Sequence, residues 1–310
     1  MIPGLEKYPA LAAVTAEQIA VWPEHRDYLT KSYGARSELA LSATNLGAEM
    51  VLKLATHFDG GLREVCEDYK YVCQDLILEE ELYFRRNKEY RLKTFEEANR
   101  EYYSKKGLMR RYMNGLLLSG IFWLNHANAL EYYLSEFLPK NPANYDHLEV
   151  GPGHGLLLYF AAKDPNVGSV RGWDVSPESV QATRRALQTV GVENSVELIC
   201  QDLFDADTEN GSFDSIVVSE VLEHLEEPLR ALKSLKQRMR PGGRIWVNMP
   251  VNSPAPDHLY LLRTPEEMLD LMTAAGLEIE QYKFFPMTGV SMERARRHEL
   301  TINVAAIGRV

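Results

Sequence analysis

The stretch that decides the fold is Leu148-Glu-Val-Gly-Pro-Gly-His-Gly155. Its glycines at 151, 153 and 155 follow a short apolar run and precede a second apolar segment that begins near Leu156. Glycines of this kind let the backbone turn sharply and let a ligand approach without Cβ atoms in the way. The stretch predicts a strand, a ligand-binding turn and a helix, although a tight strand–helix turn without a ligand has the same pattern.

The residues from Tyr145 onward alternate between short apolar runs and helical segments, among them Glu178–Val190 and Leu229–Met239. Alternation of this kind predicts βαβ units and a parallel sheet that is buried on both faces. A helix over Thr264–Ala275 and two consecutive strands, Leu277–Phe285 and Leu300–Ile307, then predict an antiparallel C-terminal edge. The fold class is α/β, a Rossmann-like, doubly wound and mostly parallel sheet. The first five predicted strands are His147–Val150, Ser169–Val175, Ser195–Cys200, Phe213–Ser219 and Gly243–Met249.

The first 140 residues have helical apolar spacing and few β-branched runs, which predicts an all-helical N-terminal domain. The helical pattern stops at Leu138-Pro-Lys-Asn-Pro-Ala-Asn144. We therefore expect a helical domain over residues 1–144, acting as a lid, a substrate domain or a dimerisation domain, and a ligand-binding domain over residues 145–310. The predicted N-terminal helices are Ser37–His57, Leu62–Glu81, Thr94–Tyr103 and Leu108–Phe137.

The charge distribution limits the partners. The net charge of −10 is unevenly distributed. Residues 1–144 carry 18 basic and 20 acidic side chains, whereas residues 145–310 carry 16 basic and 24 acidic side chains. Because nucleic-acid binding depends on Lys and Arg, the acidic second half argues against a nucleic-acid partner. Three cysteines without paired spacing favour a reducing compartment. With no signal-peptide pattern at the N-terminus and no apolar stretch long enough to cross a bilayer, we expect a cytoplasmic protein without membrane contact.

Acidic residues follow three of the predicted strands or lie in them. Asp174 ends the second strand, 23 residues after Gly151, where a carboxylate can bind both hydroxyls of a ribose. Asp202 and Leu203 follow the third strand, where an acid can accept from an adenine amine while the leucine packs on the ring. Glu149 lies inside the first strand and can contact an ammonium group across the loop. Together these residues outline one adenosine-binding crevice at the carboxyl ends of the strands.

The glycine spacing of the loop also discriminates between possible cofactors. Its spacing is G-x-G-x-G rather than G-x-G-x-x-G, and no Lys or Arg lies nearby to meet a phosphate. The chain here resembles the class I S-adenosylmethionine-dependent methyltransferases. The resemblance covers roughly residues 145–310 and implies S-adenosylmethionine as cofactor, with Val175 and Ser219 added to the cofactor-binding set Glu149, Gly151, Gly153, Gly155, Asp174, Asp202 and Leu203. It rests on Leu148–Gly155, Gly172–Val175, Gln201–Phe204, Val217–Pro228 and Arg240–Gly243.

The segment Ser219-Glu-Val-Leu-Glu-His-Leu-Glu-Glu-Pro228 follows the fourth predicted strand. If Glu220 starts a helical turn, Glu223 and His224 lie on the same side of it, and two carboxylates with an imidazole suit a divalent cation. The pattern is similar to that of the ubiquinone-pathway O-methyltransferases and the small-RNA 2′-O-methyltransferases, which implies metal ligands at Glu220, Glu223, His224 and His258 for Mg²⁺, Mn²⁺ or Zn²⁺. The same string also occurs in metal-free relatives. There His224 is the candidate general base, because an imidazole titrates near neutrality, and Glu223 its catalytic partner.

The helical half is rich in tyrosine between residues 65 and 135. These rings can line an acceptor pocket, pack between helices or form a homodimer interface, and for any single ring we favour helix packing. The tyrosines are at positions 69, 71, 83, 90, 102, 103, 112, 132 and 133.

The leading functional hypothesis is methyl transfer to a hydroxyl of a small-molecule acceptor in biosynthesis. An N-methyltransferase for an amine or amino-sugar metabolite uses the same acidic patch to hold a cation. A nicotinamide-dependent oxidoreductase disagrees with the glycine spacing, and 2′-O-methylation of RNA disagrees with the charge. A non-catalytic, cofactor-binding partner subunit stays open, since the helical half could then serve as its docking surface.

Overall fold

The computed structural model describes residues 2–205 and 210–310. The chain forms two compact units. The helical unit comprises Met1–Glu131, Asn252–Leu261 and Phe285–Ile302, and the sheet unit comprises Tyr132–Val251, Leu262–Phe284 and Asn303–Val310. The sequence suggests a single division at residue 144, whereas two later segments of the chain belong to the helical unit.

The helical unit contains most of the predicted helical segments, and it adds α1 and α2 near the N-terminus, which the sequence pattern does not predict. Ser37 caps α3, since its side chain accepts from the backbone N–H of Ala40. Thr94 and Glu97 form a capping box at the start of α6. π-helical turns at Val72–Ile77 and Asn99–Tyr103 interrupt two of the predicted helices. The helices are α1 Pro9–Val21, α2 Arg26–Gly34, α3 Glu38–Ala55, α4 Gly61–Tyr71, α5 Leu78–Asn87, α6 Phe95–Ala98, α7 Lys106–Phe122, α8 Leu124–Tyr132 and, from a later segment, α13 Met292–His298.

The long helix predicted over Leu108–Phe137 breaks at Trp123, whose backbone is extended with ψ of 133°. The break contains neither proline nor glycine, so tertiary hydrogen bonds must hold it. The carbonyl of Phe122 accepts from the Ser32 hydroxyl at 2.7 Å and from the Arg36 guanidinium at 2.9 Å. The N–H of Leu124 donates to the Thr288 hydroxyl at 3.1 Å. These partners satisfy the backbone groups that a helix end leaves open.

The core of the helical unit lies between α1, α3, α4 and α7. Leu11 and Val14 of α1 are fully buried there, together with Tyr69 of α4 and Leu118 of α7. Aromatic rings continue this core, since Tyr69 packs edge-on against Phe122 with ring centroids 5.2 Å apart. Burial of these large side chains is the main stabilising contribution within the unit.

The sheet unit has seven strands in the order β3-β2-β1-β4-β5-β7-β6. The pairs β1–β2, β2–β3, β1–β4 and β4–β5 are parallel. The start of β5 runs beside the end of β7, because Gly242 N–H donates to the Val310 carbonyl and Val310 N–H to the Gly243 carbonyl, as in an antiparallel pair. The strands are β1 Tyr145–Val150, β2 Val167–Asp174, β3 Glu197–Cys200, β4 Phe213–Ser219, β5 Met239–Val251, β6 Glu278–Pro286 and β7 Ile302–Arg309.

This architecture confirms the predicted fold class, including the antiparallel edge. Four helices flank the strands in sequence: α9 Leu156–Lys163, α10 Pro177–Val190, α11 Pro228–Arg238 and α12 Pro265–Ala274. The strand order reverses between β1 and β4, and in an open α/β sheet a ligand binds at that point, beyond the carboxyl ends of the strands. The sheet therefore places the ends of β1, β2 and β4 where the sequence predicts a binding crevice.

Within residues 2–205 and 210–310, every helix falls short of the length and apolar character that a bilayer span requires.

Candidate functional site

The glycine loop after β1 has the backbone that its sequence predicts. Gly151, Gly153 and Gly155 have φ of 66°, 54° and 74°, a region that L-residues with side chains rarely adopt. The hydroxyl of Thr183, on α10, donates to the Gly153 carbonyl at 2.6 Å and fixes the middle of the loop. A Cβ at Gly155 would lie 2.9 Å from Leu187 Cδ2, whereas a Cβ at Gly153 would meet no atom within 4 Å. The loop is tightly packed at Gly155 and open at Gly153.

Glu149 is a buried carboxylate on β1, with 3% of its surface exposed. One hydrogen bond comes from the backbone N–H of Leu158 in α9, and among the described residues Oε2 has no hydrogen-bond partner. Burial raises the pKa of Glu149 well above its ordinary value. A buried carboxylate oxygen without a donor is costly, so its presence beside the loop indicates that a ligand supplies the donor.

The acids beyond β2 and β3 lie at strand ends, as predicted. Asp174 is half-buried at the end of β2, and its Oδ1 accepts from the Ser176 N–H at 2.9 Å. Burial raises the pKa of Asp174, while that hydrogen bond opposes the rise. The next residue, Val175, is 53% exposed, an unusual environment for a valine. An exposed apolar side chain beside a half-buried acid suits a sugar and a flat ring.

Asp202 and Leu203 follow β3. The Asp202 carboxylate accepts from the Phe204 N–H at 2.8 Å and is partly accessible. Leu203 is buried, and its carbonyl accepts from the Ser234 hydroxyl at 3.0 Å. The residues therefore occur where the sequence predicts them, in a turn whose backbone is anchored to α11.

The turn after β4 differs from the prediction at Glu220. Glu220 has φ of 54° and stands outside the short 3-10 turn Leu222–His224, so it does not start a helical turn that aligns it with Glu223 and His224. Its Oε1 accepts instead from the side-chain amides of Asn248 on β5, at 2.9 Å, and Asn303 on β7, at 2.7 Å. Sequence spacing alone cannot reveal this, because the two amides come from strands far along the chain.

Asn248 and Asn303 are residues of the candidate site that the sequence pattern does not indicate. The Asn248 amide also donates to the hydroxyl of Ser219, at 3.0 Å, so a single side chain binds the two consecutive residues at the start of the turn. The carbonyl of Asn248 accepts from the Glu220 N–H at 2.8 Å. Burial raises the pKa of Glu220 to about 8, while the hydrogen bonds from Asn248 and Asn303 oppose the rise. The sequence signal that could have indicated Asn248 is a polar residue within the apolar run near the end of β5.

Glu223 and His224 lie side by side in the 3-10 turn. Glu223 is fully buried, and its Oε1 is 3.9 Å from Nε2 of His224, whose side chain keeps 22% exposure. A buried carboxylate beside a partly exposed imidazole can hold the ring in one orientation. The pair thus has the elements of an acid–base group or of two metal ligands.

His258 belongs to the helical unit, in the segment Asn252–Leu261. It is buried, and its Nδ1 is 2.6 Å from the Ser253 carbonyl oxygen. Since a carbonyl oxygen only accepts, Nδ1 carries a proton, and in the neutral ring the lone pair is on Nε2. The predicted metal ligands thus come from both units: Glu220, Glu223 and His224 from the sheet unit, and His258 from the helical unit.

The tyrosines of the helical half divide into several groups. Tyr69 and Tyr112 are buried in helix packing. Tyr132 and Tyr133 belong to the sheet unit, where both rings pack on Trp246 with centroid distances of 5.3 and 5.6 Å. This agrees with the expectation that most of the rings serve packing. Tyr103 and Tyr112 also donate to the Asp257 carboxylate, at 3.0 and 2.6 Å, and the Tyr90 hydroxyl accepts from the Ser253 N–H at 3.0 Å.

The strand order and the glycine loop define a Rossmann-like fold. Residues 148–247 match a family model described as "Methyltransferase domain". The C-methyltransferase UbiE of ubiquinone and menaquinone biosynthesis from Geotalea daltonii is 26% identical over 185 residues, 52% of this chain and 75% of the relative. A ubiquinone biosynthesis O-methyltransferase from Xanthomonas axonopodis pv. citri is 32% identical over 116 residues, 37% of this chain and 46% of the relative.

Among solved structures, the cyclase SpnF shares 20% identity over 59% of this chain and 80% of its own, with a TM-score of 0.49. The chain spans about half the length of most of the curated relatives it matches. The matched region is similar to the class I S-adenosylmethionine-dependent methyltransferases, as its sequence predicts, and it lies in the sheet unit.

Proposed function

We propose that this chain transfers a methyl group from S-adenosylmethionine to a hydroxyl of a small-molecule acceptor. The observation that carries the proposal is the open glycine loop next to the buried, incompletely hydrogen-bonded carboxylate of Glu149. The family match supports the same reaction class. The acidic sheet unit favours a cationic cofactor over a polyphosphate.

The residues present fit the cofactor. Glu149 can accept from its ammonium group, which would satisfy the oxygen that now has no donor among the described residues. Asp174 can bind the ribose hydroxyls, with the exposed Val175 against the adjoining ring. Asp202 and Leu203 can meet the adenine, and Ser219 lies at the end of the neighbouring strand β4. When bound, S-adenosylmethionine supplies a methyl group on a positively charged sulfur.

His224 is the residue that we assign to proton transfer. Its imidazole is partly exposed and lies 3.9 Å from the buried Glu223 carboxylate, and the ring can take the proton that the acceptor hydroxyl loses. Much of the rate gain comes from holding the acceptor oxygen and the methyl carbon in line. Transfer to oxygen, rather than to nitrogen, draws support from the O-methyltransferases among the relatives.

A metal-assisted form of the reaction is part of the proposal. A divalent cation would lower the pKa of the acceptor hydroxyl and orient it. Glu223 and His224 suit such a cation, and His258, with Nδ1 on a backbone carbonyl, has the outer hydrogen bond typical of a metal-ligating histidine. Glu220 suits it less well, since its Oε1 already accepts from two amides.

The test is a screen for S-adenosylhomocysteine release by the purified chain, with hydroxyl, catechol, amine and carboxylate acceptors, each with and without EDTA. We expect turnover with a hydroxyl or catechol acceptor. Loss of turnover in EDTA and its recovery with added Mg²⁺, Mn²⁺ or Zn²⁺ would support the metal-assisted form, and turnover that persists in EDTA would leave His224 as base. Turnover with amines alone would replace the proposal by N-methylation, and none with any acceptor would favour a non-catalytic partner subunit.

Glu223→Ala is the informative variant for this site. It should abolish turnover and leave the affinity for S-adenosylmethionine within about twofold, since Glu223 is assigned to the acceptor side. The matched control is Glu227→Ala, because Glu227 is exposed, forms an ion pair with Arg230 and lies four residues further along the chain. Equal loss of cofactor binding in Glu223→Ala would mean that its role is misassigned.

A further inference from the structure

The break between α7 and α8 brings accessible side chains into the middle of the helical pattern. Trp123, Leu124 and His126 keep part of their surface accessible, while Phe122 and Ala127 on either side are fully buried. A break without proline or glycine needs a cause, and here the cause is the set of tertiary hydrogen bonds at Phe122 and Leu124. The break therefore places aromatic and polar groups with accessible surface next to a fully buried core.

Arg36 is a buried cation beside this break. Its side chain is 8% exposed and donates to uncharged acceptors at 2.9 to 3.1 Å, the Phe122 carbonyl and the hydroxyls of Ser32 and Thr44. Among the described residues its Nε has no hydrogen-bond partner, and the titratable side chains that act on it are tyrosines rather than carboxylates. Burial lowers the pKa of Arg36 only to about 10, so the guanidinium stays charged at neutral pH. A buried charge normally has a counter-charge.

His126 is a second polar group at the break. Among the described residues its ring nitrogens have no hydrogen-bond partner, and its ring packs against that of Trp123 with centroids 5.0 Å apart. Burial, followed by the charge of Arg36, lowers the pKa of His126 to about 4. The ring is therefore neutral at pH 7 and offers one N–H donor and one acceptor nitrogen.

Tyr28 provides a third polar group. Its hydroxyl oxygen accepts from the Thr288 hydroxyl at 2.9 Å, and the Thr288 oxygen accepts from the Leu124 N–H at 3.1 Å. Because the Tyr28 oxygen is the acceptor in this pair, its own O–H can donate to a ligand. The His25 ring stacks on Tyr28 with centroids 4.8 Å apart, and the Tyr28 side chain keeps part of its surface accessible.

These groups favour an anionic, aromatic ligand. A carboxylate would accept from the imidazole N–H and the phenol O–H, and it would supply the counter-charge that Arg36 lacks among the described residues. The rings of Trp123 and Tyr28 offer flat apolar surface to an aromatic group. α8 begins at Leu124, and the partial positive charge of a helix N-terminus has the same sign as Arg36. An amine would meet unfavourable charge at the same place.

We propose that the helix break at Trp123 is a site where the helical unit binds a small aromatic carboxylate. His126 and Tyr28 donate to the carboxylate, Arg36 supplies the positive charge, and the ligand's ring packs against Trp123. These residues belong to the helical unit, as does Thr288, which holds the Tyr28 hydroxyl. The inference concerns ligand binding alone and does not depend on the proposed methyl transfer.

The test is calorimetric titration of the purified chain with benzoate and with benzamide, an uncharged analogue of nearly the same shape. We expect benzoate to bind with a sub-millimolar Kd and benzamide at least about tenfold more weakly, because hydrogen bonds to an ionised acceptor are about twice as strong as neutral ones. Cyclohexanecarboxylate keeps the charge and lacks the aromatic ring. It should bind at least about threefold more weakly than benzoate.

Two variants test the residues of the site. His126→Phe keeps an aromatic ring and removes the ring nitrogens, and Tyr28→Phe removes only the hydroxyl. Each should weaken benzoate binding by about tenfold or more, as expected for the loss of a hydrogen bond to a charged group. The matched controls in the same unit are His57→Phe, at an exposed histidine, and Tyr71→Phe, at a half-buried tyrosine that ends α4. Both controls should keep the wild-type Kd for benzoate.

The proposal would be overturned if benzoate did not bind, or if benzoate and benzamide bound with equal affinity. A wild-type Kd for benzoate in either His126→Phe or Tyr28→Phe would also overturn it, and Arg36 would then serve only to hold the helix break. Circular dichroism and urea unfolding establish that each variant is folded. If Tyr28→Phe does not fold, His126→Phe alone provides the comparison. Failure of the proposed methyl transfer has a separate signature, since S-adenosylhomocysteine release would be absent while benzoate still bound.

Discussion

The glycine loop offers a pair of substitutions that separate cofactor binding from folding. Gly153→Ala and Gly155→Ala place the same methyl group two residues apart, at φ of 54° and 74°. At Gly155 the new Cβ would lie 2.9 Å from Leu187 Cδ2 and 3.2 Å from Thr183 Cγ2. At Gly153 it would meet no protein atom within 4 Å. Of these two positions, Gly153 is therefore the one with space that the described residues leave open.

The expected magnitudes follow from this geometry. Placing a side chain in the left-handed region costs about 1–2 kcal/mol, and crowding a packed core adds about 1–3 kcal/mol. Gly155→Ala should therefore lower the free energy of unfolding by about 2–5 kcal/mol, and Gly153→Ala by about 1–2 kcal/mol. Gly191→Ala is the control, because Gly191 ends α10 at φ of 73° and its Cβ would also meet nothing.

The assays are urea unfolding of the free protein and calorimetric titration with S-adenosylmethionine. Gly153→Ala should raise the Kd for the cofactor by about 100-fold, as expected for a methyl group that occupies the ligand's position and costs about 3 kcal/mol. Gly191→Ala should show a similar loss of stability and an unchanged Kd. A wild-type Kd in Gly153→Ala would refute the assignment of this open space to the cofactor.

Three further predictions concern buried charges. Glu149→Gln should weaken S-adenosylmethionine binding at least tenfold in calorimetry, because the amide lacks the negative charge of the carboxylate. The same variant should stabilise the free protein at pH 8 in thermal unfolding, because burial disfavours the ionised carboxylate. Burial raises the pKa of Glu220 from 4.5 to about 8, so the stability that this group contributes is fully present below pH 4.5 and is lost as the pH rises to about 8. Glu220→Gln should flatten this dependence of the free energy of unfolding on pH, as measured by urea unfolding. An unchanged pH dependence would contradict the prediction. Arg36→Ala should lower the free energy of unfolding by about 2–4 kcal/mol, because the Phe122 carbonyl loses a buried donor. A decrease below about 1 kcal/mol would refute the role of Arg36 in holding the break at Trp123.

The sheet was predictable because its signals are local. Each buried parallel strand is a short apolar run, and the three glycines that turn β1 into α9 lie within five residues of sequence. The acids at the strand ends follow from the same regularity, since parallel strands end at one edge of the sheet. For these reasons the positions of Glu149, Asp174 and Asp202 were correctly predicted relative to the strands, while their contacts with a cofactor stay predictions.

The parts that sequence reasoning missed depend on residues far apart in the chain. Trp123 interrupts a helical pattern because Ser32 and Arg36 bind the carbonyl before it. Glu220 leaves the helical turn because amides on β5 and β7 bind its carboxylate. The assignment of residues 252–261 and 285–302 to the helical unit has the same cause, since no local periodicity records which unit a loop contacts.

The measurement that tests the central claim most directly is calorimetric titration of the purified chain with S-adenosylmethionine, with NADH titrated under the same conditions. We predict one binding site for S-adenosylmethionine with a micromolar Kd, about −8 kcal/mol, and no heat with NADH. Binding of NADH without binding of S-adenosylmethionine or S-adenosylhomocysteine would contradict the assignment of the glycine loop to a methyl donor.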